Sequence, residues 1–233
     1  IFPIITINAQ SHYDLKSKIE IDAQRELFKI NKVKEIKIID NNSTYITKID
    51  RNGKFLETNI FSENIEVSKL EYKYDNYENL IEETYFGLIS GDYAKTIYVY
   101  DKNGNIIEVH EQWGYEEDNN QNIILAKYEY NEFGNLIRVL DSEGNEKFFI
   151  EYLDNLKSVS YEKCRDEFIN KVNVKKFIYN SDGLLIKEDI FLKDCKSGEE
   201  FLDNTIKYMY NNKNLLSEIE SIDGRKIISY KYY

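Results

Sequence analysis

The 233 residues include one proline, one tryptophan, one methionine, two histidines and two cysteines. With its one proline at position 3, the chain must reverse direction through Asn, Asp and Gly. His12 and His110 lie far in sequence from Cys164 and Cys195, so no four-ligand zinc site is spelled out. Gly-x-Ser-x-Gly, His-Glu-x-x-His and phosphate-loop patterns are all missing. Nothing among the 42 acidic residues singles out a glycosidase pair. The expectation is a non-enzymatic protein with no catalytic residues, no metal ligands and no cofactor. No run approaches the roughly 18 apolar residues that a spanning helix needs, so no membrane-spanning helix is expected. The net charge of −11 repels phosphate backbones and argues against a nucleic-acid partner.

What is abundant is tyrosine, with twenty copies against twelve phenylalanines. Tyr suits strands and half-wet surfaces, because its ring seeks burial while its hydroxyl seeks a partner. Many of these tyrosines belong to a returning phrase. Tyr98-Val99-Tyr100-Asp101-Lys102-Asn103-Gly104-Asn105-Ile106-Ile107 is the cleanest copy, and Tyr128 to Ile137 is close to it. Phe177 to Ile186, Tyr208 to Ser217, Tyr72 to Ile81 and Thr47 to Leu56 repeat it with more drift. Leu70, Tyr72 and Tyr74 alternate with Glu71 and Lys73, the period-two pattern of a half-buried strand. Asp or Asn, two free residues and then Gly spell a type I turn with a bulge, Gly supplying the positive φ. Asn214 can stand in for that Gly; Glu78 suits the position less well and predicts a different turn there.

The first turn residues fall at 50, 75, 101, 131, 180 and 211, and a worn copy near Ile150 to Asn155 fills the widest gap. The predicted fold is therefore all-β. It is an extended antiparallel β-meander of about seven repeated hairpins, forming a twisted or curled repeat sheet over residues 33–233. Leu15, Ile19, Ala23, Leu27 and Ile30 recur at helical spacing, so residues 11–32 read as a short N-terminal helix that caps the sheet's open first edge. Residues 1–10, apolar through Ile7 and followed by small Ala9, read as the remnant of a signal peptide. That reading places the protein outside the cytoplasm, in the periplasm, at the cell surface or secreted.

The phrase Tyr-x-Tyr-Asp-x-x-Gly-Asn-Leu-Ile resembles the YD repeat of the RHS family of bacterial proteins. The likeness implies an antiparallel β-ribbon which, in long members, spirals into a shell around a secreted toxin; the repeats are also credited with sugar binding. Asn105, Asn135 and Leu184 stand where the family favours Arg, and no Asp-Pro-containing self-cleaving segment is present. Sixteen or so strands at ~4.8 Å give a sheet about 75 Å wide, short of the roughly 125 Å needed to circle a ~40 Å cargo. A free-standing short array is expected, and the sequence leaves open whether it stays open or curls closed. An outer-membrane barrel is disfavoured, because the alternation leaves Lys and Glu on the outward face.

If the copies stack, the paired tyrosines form ladders on one face, read here as core rather than as a sugar platform. Function is then expected in the return loops that do not repeat. Phe86, Tyr93, Trp113 and Tyr115 are the candidate binding residues, expected to emerge on adjacent units at one end of the sheet. Glu116, Glu117 and Asp118 read as a solvated loop tip rather than a Ca²⁺ site. Cys164 and Cys195 fall in neighbouring return loops and form a candidate disulfide. The leading functional reading is an exported repeat protein that binds a protein partner or a carbohydrate through these loops. The alternative is an immunity or accessory module of a bacterial toxin system.

Overall fold

The computed structural model describes residues 18–40, 42–114, 121–154, 157–162, 164, 171–222 and 224–233. Helix α1 (Lys18–Ile30) precedes sixteen antiparallel strands that form one closed barrel in chain order. Strand β1 (Val33–Asp40) is followed by seven hairpins. These are β2 (Ser43–Ile49) with β3 (Phe55–Ser62), β4 (Ile65–Tyr74) with β5 (Leu80–Gly87), and β6 (Tyr93–Tyr100) with β7 (Ile106–Gly114). Next come β8 (Gln121–Tyr130) with β9 (Leu136–Leu140), and β10 (Glu146–Asp154) with β11 (Lys157–Glu162). Then follow β12 (Lys171–Tyr179) with β13 (Leu185–Asp194), and β14 (Glu200–Tyr210) with β15 (Leu216–Ser221). Strand β16 (Gly224–Tyr232) opens an eighth unit whose partner strand is β1.

That last pairing closes the barrel. Ile36 lies opposite Tyr230, and Ile38 opposite Ile228. The C-terminal Tyr233 adds to the seam, its amide donating to the Lys32 carbonyl at 2.8 Å and its hydroxyl to the Ile49 carbonyl at 2.5 Å. The sheet therefore presents no open first edge for α1 to cover.

Six of the repeat turns close in the same way. The Asp50 amide donates to the Lys54 carbonyl, the Gly53 amide donates to the Asp50 carbonyl, and Asp50 Oδ1 accepts from the amides of Asn52 and Lys54. The turns at Asp101, Asn131, Asn180 and Asn211 repeat this set. So does the turn at Asp75, contrary to the sequence-based expectation. Glu78 takes φ +68° and keeps the amide bond to Asp75. Asp141 to Asn145 form the same turn between β9 and β10, at the other end of the barrel.

The paired tyrosines face inward, as the alternation predicts. Successive copies stand two strands apart, about 9.6 Å, with the second strand of a hairpin between them. The coupling runs through hydroxyls. Five of these tyrosines reach the fifth residue after the start of the preceding turn. Tyr100 donates to the Leu80 carbonyl at 2.5 Å, Tyr130 to Ile106 at 2.8 Å and Tyr152 to Leu136 at 3.1 Å. Tyr210 does the same to Leu185 at 2.8 Å and Tyr230 to Leu216 at 2.5 Å. In the first unit the polarity reverses, and the Phe55 amide donates to the Tyr74 hydroxyl at 3.0 Å.

Two apolar clusters fill the interior. One gathers Ile36, Ile38, Ile49, Tyr208, Leu216 and Ile228 around Phe28 of α1. The other gathers Ile106, Val109, Ala126, Tyr128 and Val139. Among the described side chains of the helix, Phe28 and Gln24 are buried and Leu27 packs against the first cluster, whereas Ile30, expected on the buried stripe, is 72% exposed. The outward face carries cross-strand ion pairs, among them Lys48–Glu57, Lys73–Glu82, Arg138–Glu129, Lys207–Glu220 and Lys231–Glu35. No described helix is long and apolar enough to cross a membrane.

Candidate functional site at the return-loop end

The barrel has two unlike ends. At the turn end, the repeated turns lie beside α1. Arg25 of the helix bonds to Glu78 in the second turn, and Phe28 packs against Phe55 just beyond the first, with ring centroids 6.0 Å apart. The opposite end carries the connections between hairpins, and these differ in length and sequence.

The connection from β5 to β6 is built on close backbone approach. The Gly87 amide donates to the Asp92 carbonyl and the Gly91 amide to the Gly87 carbonyl, both at 2.8 Å. A Cβ on Gly87 would fall 2.0 Å from Asp92 Oδ1 and 2.4 Å from Ser90 Oγ, so both side chains would have to turn aside for any larger residue there. This geometry lifts Leu88 and Ile89 into solvent, 53% and 72% exposed.

The four candidate binding residues are only partly brought together. Phe86 lies opposite Tyr93 in the sheet, and their tilted rings sit 5.6 Å apart. Lys95 Nζ lies 5.8 Å from the Tyr93 ring centre, and Tyr93 itself is buried. Trp113 lies opposite Ala94, the residue next to Tyr93, and therefore on the other face of the sheet. It is 57% exposed at the inner rim of this end. Tyr115 and the acidic run Glu116 to Asp118 lie outside the described residues. The same end also carries exposed Ile65, Phe201, Leu202 and Ile222.

Cys164 and Cys195 are joined in a disulfide with Cα atoms 5.8 Å apart. The bond ties the β11–β12 connection to the β13–β14 connection across the hairpin between them. Their placement in neighbouring return loops was the signal that pointed to the pair.

Sequence reasoning missed a second group, the carboxylates inside the barrel. Eight residues after each turn's first residue stand Thr58, Glu83, Val109, Val139, Glu188 and Ile219, all inward-facing and each opposite the first aromatic or Thr of its own repeat. Where the position is polar, the next unit's Tyr bonds to it. Thr58 Oγ1 lies 2.9 Å from the Tyr72 hydroxyl, and Tyr208 donates to Glu188 Oε2 at 2.9 Å. Lys175 Nζ stands 3.3 Å from the other Glu188 oxygen. Burial, the Glu83 charge and a hydrogen bond with Glu83 push the Tyr98 phenol well above its ordinary range. Burial and the Glu83 charge act on Tyr72 in the same direction. These phenols stay neutral at any physiological pH. On the outward side, burial pushes the Asp189 carboxyl up, but hydrogen bonds from Lys187 at 2.6 Å and Thr205 at 2.6 Å outweigh it and hold the group ionised. Each carboxylate is engaged by its neighbours in the manner of a structural group. Among the described residues no His, Cys, Asp and Glu cluster could hold a metal ion. The signal for the inward carboxylates was present in the aligned copies, as a charge at a position where period two demands burial.

Turn, inward Tyr pair and hydroxyl clasp, repeated in register around a closed sheet, define a short YD-repeat barrel. The sequence profile of the Teneurin YD-shell matches residues 23–193, and the chain belongs to that family. No curated protein matches the chain by sequence. Among solved structures, a porin-like protein from Bacteroides uniformis is similar, with a TM-score of 0.50 and 10% identity over 87% of this chain and 97% of that one. At that identity the likeness concerns the fold alone. The Photorhabdus luminescens Tc holotoxin pore matches over 78% of this chain and 12% of its own, with 12% identity and a TM-score of 0.32.

Proposed function

We propose that this chain is an exported, non-catalytic YD-repeat protein that binds a protein partner or a glycan through its return-loop end. The observation that carries the reading is the asymmetry of the barrel. Six turns of one hydrogen-bonded design and a docked helix occupy one end, while that design recurs only once, at Asp141, among the described connections of the other. The other exposes apolar side chains from unlike loops, among them Leu88, Ile89, Trp113, Phe201 and Ile222. Exposed apolar residues gathered on variable loops are a common form of binding surface. Export is supported by the Cys164–Cys195 bond, since such bonds persist in oxidising compartments. An outward face bearing Lys–Glu and Arg–Glu pairs supports an aqueous surround, because a lipid-facing barrel needs an apolar band there.

The test uses purified protein with the triple substitution Leu88→Ser, Ile89→Ser and Trp113→Ser. A turn-end control carries Tyr77→Ser and Phe133→Ser, both residues being exposed. Each is probed on a glycan array and on a panel of immobilised bacterial surface proteins. The expected result is binding by the parent and the control and its loss in the triple variant, with all melting temperatures alike. Binding lost in the control and kept in the triple variant, or no binding by the parent to either probe set, overturns the reading.

A further inference from the structure

Four of the six repeat turns counted from Asp50 to Asn211 hold Gly at their fourth position, one holds Asn214 and one holds Glu78. Asn enters the left-handed region readily; a longer side chain does so at a cost. Glu78 nonetheless sits at φ +68°. A residue held in a sparsely populated conformation is sustained by its surroundings and points to a role there.

Those surroundings are specific. The Glu78 carbonyl accepts from Arg25 Nη1 at 2.9 Å, and its Oε2 from Arg25 Nη2 at 3.0 Å. Oε1 accepts from Lys54 Nζ at 2.7 Å. Arg25 belongs to α1, and Lys54 to the turn of the preceding hairpin. Both cations also lie near the Tyr74 ring, at 5.7 Å and 5.5 Å. One turn residue thus holds the helix and the neighbouring hairpin together. The preceding turn is shaped to the same helix, since a Cβ on Gly53 would fall 2.2 Å from the Arg25 carbonyl oxygen.

The helix is joined to β1 through Asn31 and Lys32, the latter at φ +54°. Among its described side chains Phe28 is fully buried, Gln24 is buried and Leu27 packs against the same cluster. The hydrogen bonds that close the barrel, β1 to β16 included, run between strands. We propose that Glu78 is a latch and α1 a detachable cover of the turn end, so that the helix can leave while the barrel stays closed. A charged residue replaces the turn glycine here because holding the helix outweighs the ease of the turn.

Hydrogen exchange followed by mass spectrometry on the full chain tests this with E78G, R25Q and the double variant. Glycine is the better turn residue, so E78G leaves the strand amides as protected as before or more so. Residues 18–30 should exchange roughly tenfold faster or more, the effect of losing a charged hydrogen-bonded pair. R25Q should give the same result, and the double variant should be no faster than either single one. Three results overturn the latch: unchanged exchange of the helix in E78G, helix and strands loosening together by one factor, or additive effects in the double variant.

Discussion

A tyrosine hydroxyl is a small part of a buried side chain, yet here it joins one hairpin to the next. Tyr130 donates to the Ile106 carbonyl, while its ring packs beside the second apolar cluster. Tyr130→Phe keeps the ring and removes the bond, which should cost about 0.5–1.5 kcal/mol in a urea unfolding midpoint. Tyr208→Phe should cost more, about 1.5–3 kcal/mol by the same assay, because its acceptor is the buried Glu188 carboxylate. Acid should act on the turns. Burial pushes the Asp101 carboxyl up, but bonds from the Asn105 backbone and side chain and from the amides of Asn103 and Gly104 outweigh it. The Asp194 carboxyl is held low chiefly by the amides of Ser197 and Lys196. A carboxylate whose folded value lies below its unfolded one adds stability above the unfolded value and loses it as pH falls through the folded one. The thermal midpoint should therefore hold from neutrality down to about pH 4 and fall steeply below it. A midpoint already falling between pH 7 and 5 would contradict this. The alternation of Tyr72 and Tyr74 with Lys73 made the inward face legible. The same alternation within β6 sets Tyr93 opposite in face to Tyr98, so half of the candidate aromatic patch could have been divided from sequence alone. The place of Trp113 could not, because it depends on the register between β6 and β7.

At the scale of elements, helix and hairpins meet at Gly53. Gly53 and Gly134 occupy equivalent turns at φ +82° and +77°, but open space surrounds a Cβ on Gly134. Alanine at either position should cost about 1 kcal/mol for the conformation alone. Gly53→Ala should cost clearly more, since the added methyl meets the Arg25 carbonyl of α1. Equal melting temperatures for the two variants would remove that contact from the account. The return loops carry a separate restraint, the bond between residues 31 apart in sequence. Replacing Cys164 and Cys195 by Ser should lower unfolding stability by about 2–4 kcal/mol. The helix was legible as an element, and its buried face in part. Leu27, on the expected stripe, packs against the first apolar cluster, while Ile30 is exposed and Phe28 takes the fully buried place, with α1 held by Arg25 and Glu78. Those two residues lie 53 positions apart and belong to no shared motif.

The barrel is a ring of eight units, seven of them continuous hairpins and one formed by β16 with β1. Six hairpins could be counted directly in the sequence, because each announces itself with Asp or Asn, two residues and Gly or its stand-ins Glu78 and Asn214, and the wide gap between 131 and 180 placed the seventh. The eighth could not, because β1 lacks the phrase and meets β16 only when the sheet has curled fully round. Closure explains how so short an array avoids exposed sheet edges, the hazard that open sheets must otherwise cover. It also fixes which end holds the varied loops and which holds the helix, and the proposed binding surface rests on that division. Lys37 of β1 lies opposite Ser229 of β16 in the closed ring. In a flat sheet of sixteen strands at ~4.8 Å, the same two residues would stand about 70 Å apart. Spin labels on Lys37→Cys and Ser229→Cys, read by double electron–electron resonance in the monomer with the native disulfide intact, distinguish the two directly. Closure predicts one narrow distance below about 25 Å, the short cross-strand gap plus the label arms. A distribution centred near the flat-sheet value would contradict it.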